Sequence, residues 1–339
     1  MERSVTQDPA AAGAQEEECM EETSPADPRG ASGTPGPAPR LERLGAVSST
    51  QDEAAARLRE GLRPPFAVTA TRQDSGRGRL GRPFSSPDGA SLALSYAHRT
   101  SLAPTRRGWF PLAAGLAALT ALARVVPGGE DGRSIGLKWP NDLHTTDGRK
   151  LGGILVEARG EGDLLLGIGM NLAGPVLTAD GAAVPEAAWL RGPDGQRPAS
   201  GPGDGAPLRE ALEEALVAAL AEELGALESA GGDGDAAGLR RRYTMTCLTL
   251  GRAVRVDPLG GMGRGGDEDP ALRGTARDID GHGRLVLDLA EGGGELAVDV
   301  GDVRHLRPDA PPPADEAAPE RREADHEQES SMEKRGPAR

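Results

Sequence analysis

The segment LKWPNDLHTTDGRKLGGILVE, residues 137–157, decides the fold that the sequence predicts. Two largely apolar runs, 134–139 and 152–158, stand on either side of a polar turn, a pattern typical of neighbouring strands. The first run carries Lys138 beside Trp139, and the second follows Lys150. The pattern therefore predicts two β-strands with charged side chains close to the turn between them.

Lysine is rare in this chain, which contains 36 arginines and three lysines. Two of the three, Lys138 and Lys150, lie in this one segment. A lysine kept next to Trp139 in so arginine-rich a sequence indicates a site that needs a compact ammonium, the alternative being that two lysines fall together by chance. Asn141 and Asp142 follow with short polar side chains that suit a metal-bound phosphate.

A second stretch, SGRGRLGRPFSSPDG at residues 75–89, has glycines at the spacing G-x-G-x-x-G. A dinucleotide-binding loop with that spacing needs a following helix and an acid about 20 residues further on. Here helix-breaking residues follow, and no acid occurs between Asp88 and Glu130, which excludes an NAD-binding Rossmann fold. The interleaved Arg77, Arg79 and Arg82 favour a mobile loop that closes on a phosphate, although a solvated basic loop explains the local pattern equally well.

The net charge of −14 resides largely in the two ends of the chain. Residues 1–40 and 309–339 hold 17 of the 53 acids and few apolar residues, which predicts disordered acidic tails. The middle, with 36 acids and 31 basic residues, lacks the broad basic face of a nucleic-acid-binding protein. Cys19 and Cys247 are the only cysteines, so the sequence predicts no disulfide framework, and a cytoplasmic location is expected.

Helix and strand patterns alternate through the middle of the chain. Thr50 and Glu53 have capping-box spacing, so a helix is expected over residues 51–60. The uncharged run 108–123 predicts a buried helix, since it is shorter than the roughly 20 residues of a membrane span. Leucines spaced four apart predict a packing helix over 207–227, with Glu213, Glu214, Glu222 and Glu223 on its opposite face. Further strands are expected at residues 66–71, 91–99 and 164–172, and a small antiparallel barrel, with a flexible insertion at 260–269, after residue 251.

Five motifs in one order resemble the signature of the biotin protein ligases. They are SSTQ at 48–51, the GRGR loop, KWPND at 138–142, RKLGGILVE at 149–157 and GIGMN at 167–171. The resemblance covers about residues 41–307 and implies an α/β (α+β) fold like that of the class II aminoacyl-tRNA synthetases. A mixed, largely antiparallel sheet with helices would form a catalytic domain over 41–245, followed by an SH3-like barrel over 246–308.

The resemblance also implies a reaction with two halves in one site. Biotin and MgATP give biotinyl-5′-AMP and pyrophosphate, and a lysine of a biotin carboxyl carrier domain of acetyl-CoA or acyl-CoA carboxylase then accepts the biotin. Biotin, ATP and Mg²⁺ are thus the expected ligands and the carrier domain the expected partner. No DNA or membrane is expected to bind, and the sequence leaves the oligomeric state open.

Position in the matching motifs gives roles to individual residues. Lys138 is implied as the central cation between the biotin carboxylate and the α-phosphate, so Lys138→Arg is expected to lose most adenylation while keeping the fold. Arg77 and Arg79 are implied as the other catalytic residues. Asn141 and Asp142 are expected to help place Mg²⁺ and the triphosphate without forming a protein metal cage. The further residues implied to contact biotin or nucleotide are Ser49, Thr50, Gln51, Gln73, Gly78, Gly152, Gly153, Asn171 and Trp189.

Some implied roles stay open, and some positions depart from the family pattern. Trp189 either stacks on adenine or packs in a lid, and Arg304 or Arg307 is expected to reach toward the nucleotide. Gln51 stands where asparagine is common and Phe84 where tryptophan is common, while KLGG replaces KLAG. These changes concern how biotin packs rather than the chemistry.

Two other functions compete with the biotin ligase. A lipoate-type ligase on a related fold would share the adenylation chemistry but not the KWPND and GRGR pair. A nucleic-acid-binding protein that uses the arginine-glycine loop would need interleaved aromatic residues, and the whole chain has eight. Because residues 1–40 are acidic and poor in apolar residues, a helix-turn-helix is not expected there, and we predict a monofunctional enzyme.

Overall fold

The computed structural model describes residues 38–84, 89–126, 135–178, 181–191, 205–258, 271–290, 292–299 and 301–306. Several predictions fall outside these described residues. They concern most of the N-terminal tail, the C-terminal tail, the insertion at 260–269, residues 85–88 of the glycine-rich stretch, and Arg307.

The larger of two sheets has seven strands in the order β1-β2-β3-β7-β6-β5-β4. Only β1 and β2 run parallel, and the other neighbours pair antiparallel, which confirms the prediction of a mixed, largely antiparallel sheet. The strands are β1 (Arg40–Val47), β2 (Phe66–Gln73), β3 (Ser91–Arg99), β4 (Ile135–Lys138), β5 (Asp142–Thr145), β6 (Lys150–Arg159) and β7 (Asp163–Asn171).

Strand β5 lies inside the segment that the sequence predicts to be only a polar turn. Its sequence is DLHT, in which Leu143 is the single apolar residue, too little for a strand pattern. Leu143 and Thr145 are nevertheless fully buried, because β5 pairs with β4 on one side and β6 on the other. The polar turn is therefore shorter than predicted, and Asp142 is the first residue of a strand.

Within the described residues, four α-helices accompany the sheets: α1 (Thr50–Arg59), α2 (Phe110–Val125), α3 (Gly205–Ser229) and α4 (Leu239–Thr246). The segment Pro104–Val125 is long and apolar enough to cross a membrane, but most of it is buried inside the protein. Helix α2 packs on α3 and on the large sheet, which confirms the predicted core helix. Helix α4 has no counterpart in the prediction, because only Leu239 and Tyr243 of its eight residues are buried.

Two local predictions for the helices are wrong. The hydroxyl of Thr50 donates to Gln73 rather than capping α1, and the N-cap residue, Ser49, makes no side-chain capping bond. On α3 the leucine face is buried as predicted, but Glu213 and Glu223 are buried as well. Their carboxylates are satisfied by partners on other elements, which a helical wheel does not reveal.

The C-terminal sheet has five antiparallel strands in the order β11-β10-β9-β8-β12. These are β8 (Ala253–Pro258), β9 (Leu272–Ile279), β10 (Leu285–Leu289), β11 (Glu295–Val298) and β12 (Gly301–His305). The predicted small antiparallel barrel is confirmed, with β12 as an additional strand. One hydrophobic cluster runs through both sheets, and the indoles of Trp109 and Trp139 donate to the carbonyls of Gly281 and Gly283 in the β9–β10 turn. These contacts fix the C-terminal sheet against the large one.

Candidate active site

A cavity of about 670 Å³ opens between the start of α1, the end of β2, the start of β5, strands β6 and β7, and Asp302 on β12. Its volume is in the range that encloses a small-molecule ligand. It gathers twelve of the residues that the sequence singles out: Ser49, Thr50, Gln51, Gln73, Arg77, Gly78, Arg79, Asn141, Asp142, Gly152, Gly153 and Asn171. A second cavity, of about 140 Å³ near Arg43 and Arg209, contains none of them.

The start of α1 forms one wall of the cavity. The amide and the hydroxyl of Thr50 both donate to Gln73 Oε1, at 2.8 and 3.0 Å. Ser95 donates to the Thr50 hydroxyl at 2.9 Å, so this hydroxyl accepts one bond and donates another. The side chain of Gln73, at the end of β2, thus holds the first turn of α1 beside the cavity.

The side chain of Gln51 is buried in the same wall. Its Nε2 donates to Glu157 Oε2 at 3.1 Å, while its Oε1 is buried and accepts no hydrogen bond from any described residue. A buried acceptor without a donor is costly, and such groups occur where a ligand supplies the donor. Gln51 therefore offers an acceptor for a ligand N–H.

Glycines on β6 and β7 make the floor of the cavity. Gly153 pairs with Gly169 across the two strands. A Cβ atom at Gly152 would lie 2.3 Å from the carbonyl oxygen of Gly169, and one at Gly169 would lie 2.6 Å from the ring of Phe84. Only glycine allows these approaches, and the result is a flat surface that the Phe84 ring faces.

The glycine-rich loop, defined here as residues 76–84, forms the roof. It is a small hairpin in which Gly78 donates to the Arg82 carbonyl at 2.7 Å and Phe84 to the Gly76 carbonyl at 2.8 Å. At its tip Leu80 has φ of 59° and is 58% exposed. Non-glycine residues rarely adopt a positive φ, and those that do are concentrated at turns constrained by function.

The three arginines of this loop reach three different acceptors. Arg77 forms two bonds with Asp52 on α1, at 2.7 and 2.8 Å. Arg79 donates to Asn141 Oδ1 at 2.7 Å, and burial lowers the pKa of its guanidinium. Arg82 donates to Asp302 at 2.7 Å. The loop is therefore not the solvated basic loop that its local pattern also allows.

Lys150 and Asp142 lie at the polar end of the cavity. Lys150 Nζ donates to Asp142 Oδ1 at 2.7 Å, and both residues line the cavity. Burial disfavours the charged form of Asp142, but the His144 ring and the Lys150 ammonium together lower the pKa of this carboxyl to about 2. The site thus holds an ammonium on an ionised carboxylate, next to Arg79 and Asn141.

Lys138 is not one of the residues that line the cavity, but it lies directly opposite Asp142, which does, in the antiparallel pairing of β4 with β5. Residues opposite each other in antiparallel strands present their side chains on the same face of the sheet. Burial lowers the pKa of Lys138, an effect that the charge of Asp142 opposes. Lys150, in the same segment, lines the cavity itself, and the role of Lys138 as the central cation stays a prediction.

Of two further predicted residues, one lines the cavity and one does not. Asn171 lines the cavity, and its amide donates to the Ala188 carbonyl at 2.9 Å. Trp189 is not part of the wall, and its ring packs on Gly174, where a Cβ atom would lie 2.0 Å away. This position matches a packing role for Trp189 rather than a place in the cavity wall. Arg304 is exposed and lies 4.0 Å from Asp257.

In the described ranges no three His, Cys, Asp or Glu side chains come together as a metal site. The oxygen donors in the cavity wall include those of Asn141 and Asp142, which the sequence predicts to help place Mg²⁺. One carboxylate and one amide suit Mg²⁺ that is bound mainly by the phosphates of a substrate.

Comparison with known proteins gives two family models and several relatives. The model of the biotin/lipoate A/B protein ligase family matches residues 44–172, and that of the biotin protein ligase C-terminal domain matches residues 264–306. The chain is 34% identical over 272 residues to the biotin--[acetyl-CoA-carboxylase] ligase of Mycobacterium tuberculosis, which covers 79% of this chain and 90% of the relative.

Two other likenesses are narrower. The bifunctional ligase/repressor BirA of Salmonella typhimurium is 39% identical, but over 134 residues only, which is 38% of this chain and 40% of the relative. A biotin protein ligase from Aquifex aeolicus, solved in complex with biotin and ATP, matches with a TM-score of 0.55 at 22% identity. That match covers 79% of this chain and 99% of the solved one, and it shows that the two chains share a fold.

Proposed function

Because the chain belongs to the biotin/lipoate A/B protein ligase family, as a biotin protein ligase, we propose that it activates biotin with ATP and transfers it to a carrier protein. The product of the first half-reaction is biotinyl-5′-AMP. The acceptor in the second is a lysine of a biotin carboxyl carrier domain. The observation that carries the proposal is one cavity with a glycine floor, an unpaired amide acceptor and a cationic end.

The apolar part of the cavity suits the bicyclic ring of biotin. The floor of Gly152, Gly153 and Gly169 leaves room for a flat ring system, with Phe84 as its cover. The ureido group of biotin has two N–H donors, and Gln51 Oε1 supplies an acceptor at this wall. Lipoate has no such group, so the same observation favours biotin over the lipoate-type alternative.

The cationic end suits adenylation. A carboxylate oxygen of biotin attacks the α-phosphorus of ATP, the bond to the bridging oxygen breaks, and pyrophosphate leaves. Lys150 and Arg79 line the cavity where these two anions must approach each other, so their charges offset the repulsion and the charge that builds up on phosphorus. Mg²⁺ would be held by the triphosphate with help from Asn141 and Asp142, and would neutralise the leaving pyrophosphate.

The second half-reaction is an acyl transfer. The amine of the carrier lysine attacks the acyl carbon of the adenylate, an amide forms, and the bond to the phosphate oxygen breaks to release AMP. Water competes for the same carbon, so the adenylate must be shielded until the carrier arrives. The glycine-rich loop, which roofs the cavity, supplies that shield.

The wider organisation is also part of the proposal. A catalytic domain over residues 41–245 and a barrel over 246–308 would form an enzyme that works in the cytoplasm and does not bind operator DNA. The match to the biotin--[acetyl-CoA-carboxylase] ligase of Mycobacterium tuberculosis along 90% of its length, against 40% for the bifunctional relative, supports this reading.

The first experiment is to incubate the purified full chain with biotin, MgATP and an isolated biotin-acceptor domain, and to weigh the acceptor by mass spectrometry. One added biotin that depends on ATP is the expected result, and lipoate in place of biotin is the control for the related activity. If the acceptor gains no mass and biotin does not raise the melting temperature of the chain, the proposed function is wrong.

A further inference from the structure

We propose that Asp302, on β12 of the C-terminal sheet, is a positioning residue that holds the glycine-rich loop over the active-site cavity through Arg82. The proposal rests on the proposed function only for what the closed loop does, which is to retain the adenylate. The contact itself can be tested on the protein without substrates.

Two adjacent residues of β12 meet the loop. Arg82 Nη2 donates to Asp302 Oδ2 at 2.7 Å, and Arg79 Nη2 donates to the Gly301 carbonyl at 3.3 Å. Asp302 is also part of the cavity wall. The C-terminal sheet therefore completes the site and contacts its roof at the same place.

The position of Asp302 is fixed by its strand. It lies opposite Asp257 in the antiparallel pairing of β12 with β8, in a register that runs from Gly301 to His305. A Cβ atom at Gly301 would lie 2.6 Å from Val256 Cγ1, so glycine lets β12 begin in close contact with β8. A carboxylate on this paired strand is an anchor for a loop whose tip, at Leu80, is exposed.

The other end of the loop is anchored differently. Arg77 binds Asp52 on α1, within the large-sheet body, whereas the turn is held by β12 through Arg82 and Arg79 and by Asn141 through Arg79. Between these anchors Leu80 is 58% exposed and contributes little packing. Closure of the turn over the cavity therefore depends on polar contacts, of which the Arg82–Asp302 pair joins two charges directly.

The strength of this pair sets the size of the expected effect. The side chain of Arg82 is 61% exposed and that of Asp302 is 28% exposed. Such pairs shift an equilibrium by about two- to fivefold, too little to matter for global stability. The same factor is significant for a loop whose open and closed forms interconvert, because it changes how often the cavity is open to water.

Limited proteolysis tests the contact directly. Trypsin cuts after Arg77 and Arg79 when the loop opens, while the bond after Arg82 resists because proline follows. In the full chain without substrates, Asp302→Asn should speed these two cuts about two- to fivefold, as followed by mass spectrometry of the fragments. Asp257→Asn is the matched control, since this carboxylate lies opposite Asp302 on the same sheet but is bonded to Arg255. It should leave the cutting rate unchanged.

Two further variants keep the test decisive. Arg82→Gln breaks the same pair from the side of the loop and should reproduce the faster cutting, even if Asp302→Asn folds poorly. The exchange variant Arg82→Asp with Asp302→Arg restores a charge pair and should slow the cutting again. If Asp302→Asn and Arg82→Gln are both cut at the wild-type rate, or if Asp257→Asn is cut as fast as they are, the proposal fails.

A second readout addresses the role of the closed loop. With biotin and MgATP but no acceptor, AMP forms only when water hydrolyses the adenylate, either in the cavity or after its release. Asp302→Asn should raise this steady-state rate about two- to fivefold, and the exchange variant should lower it again. If Asp302→Asn is cut faster but forms AMP no faster, the contact between Asp302 and Arg82 is supported, but its role in retaining the adenylate is wrong. Absence of any AMP from wild-type protein would instead count against the proposed function.

Discussion

At the scale of single residues, Lys150 and Lys138 differ in what they reach. Lys150 lines the cavity and is bonded to Asp142, whereas Lys138 faces Asp142 from the neighbouring strand β4. A charge stabilises a transition state more strongly when it lies closer to the developing charge and when water is excluded. Both lysines lie beside the same carboxylate, so each is a candidate for the cation of the adenylation step.

We expect Lys150→Met to lower biotin-dependent ATP–pyrophosphate exchange at least about 100-fold, the size of effect seen when a charge-stabilising group is removed from an active site. Lys138→Met is the comparison. The prediction from the family resemblance, that Lys138→Arg loses most adenylation, is tested by the same assay. A loss below about tenfold from the Lys138 variants would contradict that prediction.

Gln51 has an acceptor without a donor, and biotin is expected to supply the donor. Gln51→Leu keeps the approximate volume but removes the acceptor, so biotin affinity should fall about 10- to 100-fold, as for the loss of one buried hydrogen bond. Gln51→Asn keeps the amide and is expected to bind within about tenfold of wild type. Calorimetric titration with biotin in the absence of ATP measures both, and wild-type affinity in Gln51→Leu would contradict the assignment.

At the scale of elements, α3 is tied to the β1 edge of the large sheet by a buried carboxylate. Glu213 accepts from Arg43 Nε and from the Thr69 hydroxyl, both at 2.8 Å. Its neighbour Glu214 also pairs with Arg43 but is 70% exposed. The two adjacent glutamates thus share one arginine and differ in burial.

Glu213→Gln should lower the free energy of unfolding by about 1–2 kcal/mol, because a charge-assisted hydrogen bond is lost in a buried place. Glu214→Gln should change it by less than about 0.5 kcal/mol, since exposed pairs contribute little. Urea unfolding followed by circular dichroism measures both. Equal effects of the two substitutions would mean that the burial of Glu213 has no energetic consequence.

At the scale of the whole molecule, histidines link stability to pH. Burial, aided by the charges of Lys138 and Arg252, lowers the pKa of His305 to about 4. Burial also lowers the pKa of His98, an effect that Glu228 opposes. The unfolded chain, with histidine pKa near 6.5, therefore takes up protons before the folded chain does. Acidification from about pH 6.5 to pH 4 should weaken the fold.

For His305 alone this linkage predicts a loss of about 1–2 kcal/mol of unfolding free energy between pH 7 and pH 5. Asp142 contributes only in stronger acid, since its stabilisation is complete above about pH 4 and is lost as the pH falls toward 2. His305→Gln should flatten the slope between pH 7 and pH 5, as measured by urea unfolding at each pH. An unchanged slope would show that His305 does not titrate differently in the two states.

Sequence alone determined the elements with strong periodic patterns and the motifs with fixed spacing. The apolar run of α2, the leucine face of α3 and the longer strands follow from side-chain periodicity, because burying those faces dominates the energy of folding. Twelve residues implied by the family motifs line one cavity, since the motifs are local segments that each fold in one way.

Tertiary structure decided what depends on partners far along the chain. Strand β5, helix α4 and strand β12 carry too few apolar residues to be predicted, and they form because neighbouring elements bury them. Gln73 accepts the hydrogen bond of the Thr50 hydroxyl, in place of the predicted capping box, and Lys150 joins the cavity wall, because the order of strands in the sheet sets which side chains meet. The contact of Asp302 with Arg82 joins residues 220 positions apart, and no local pattern contains it.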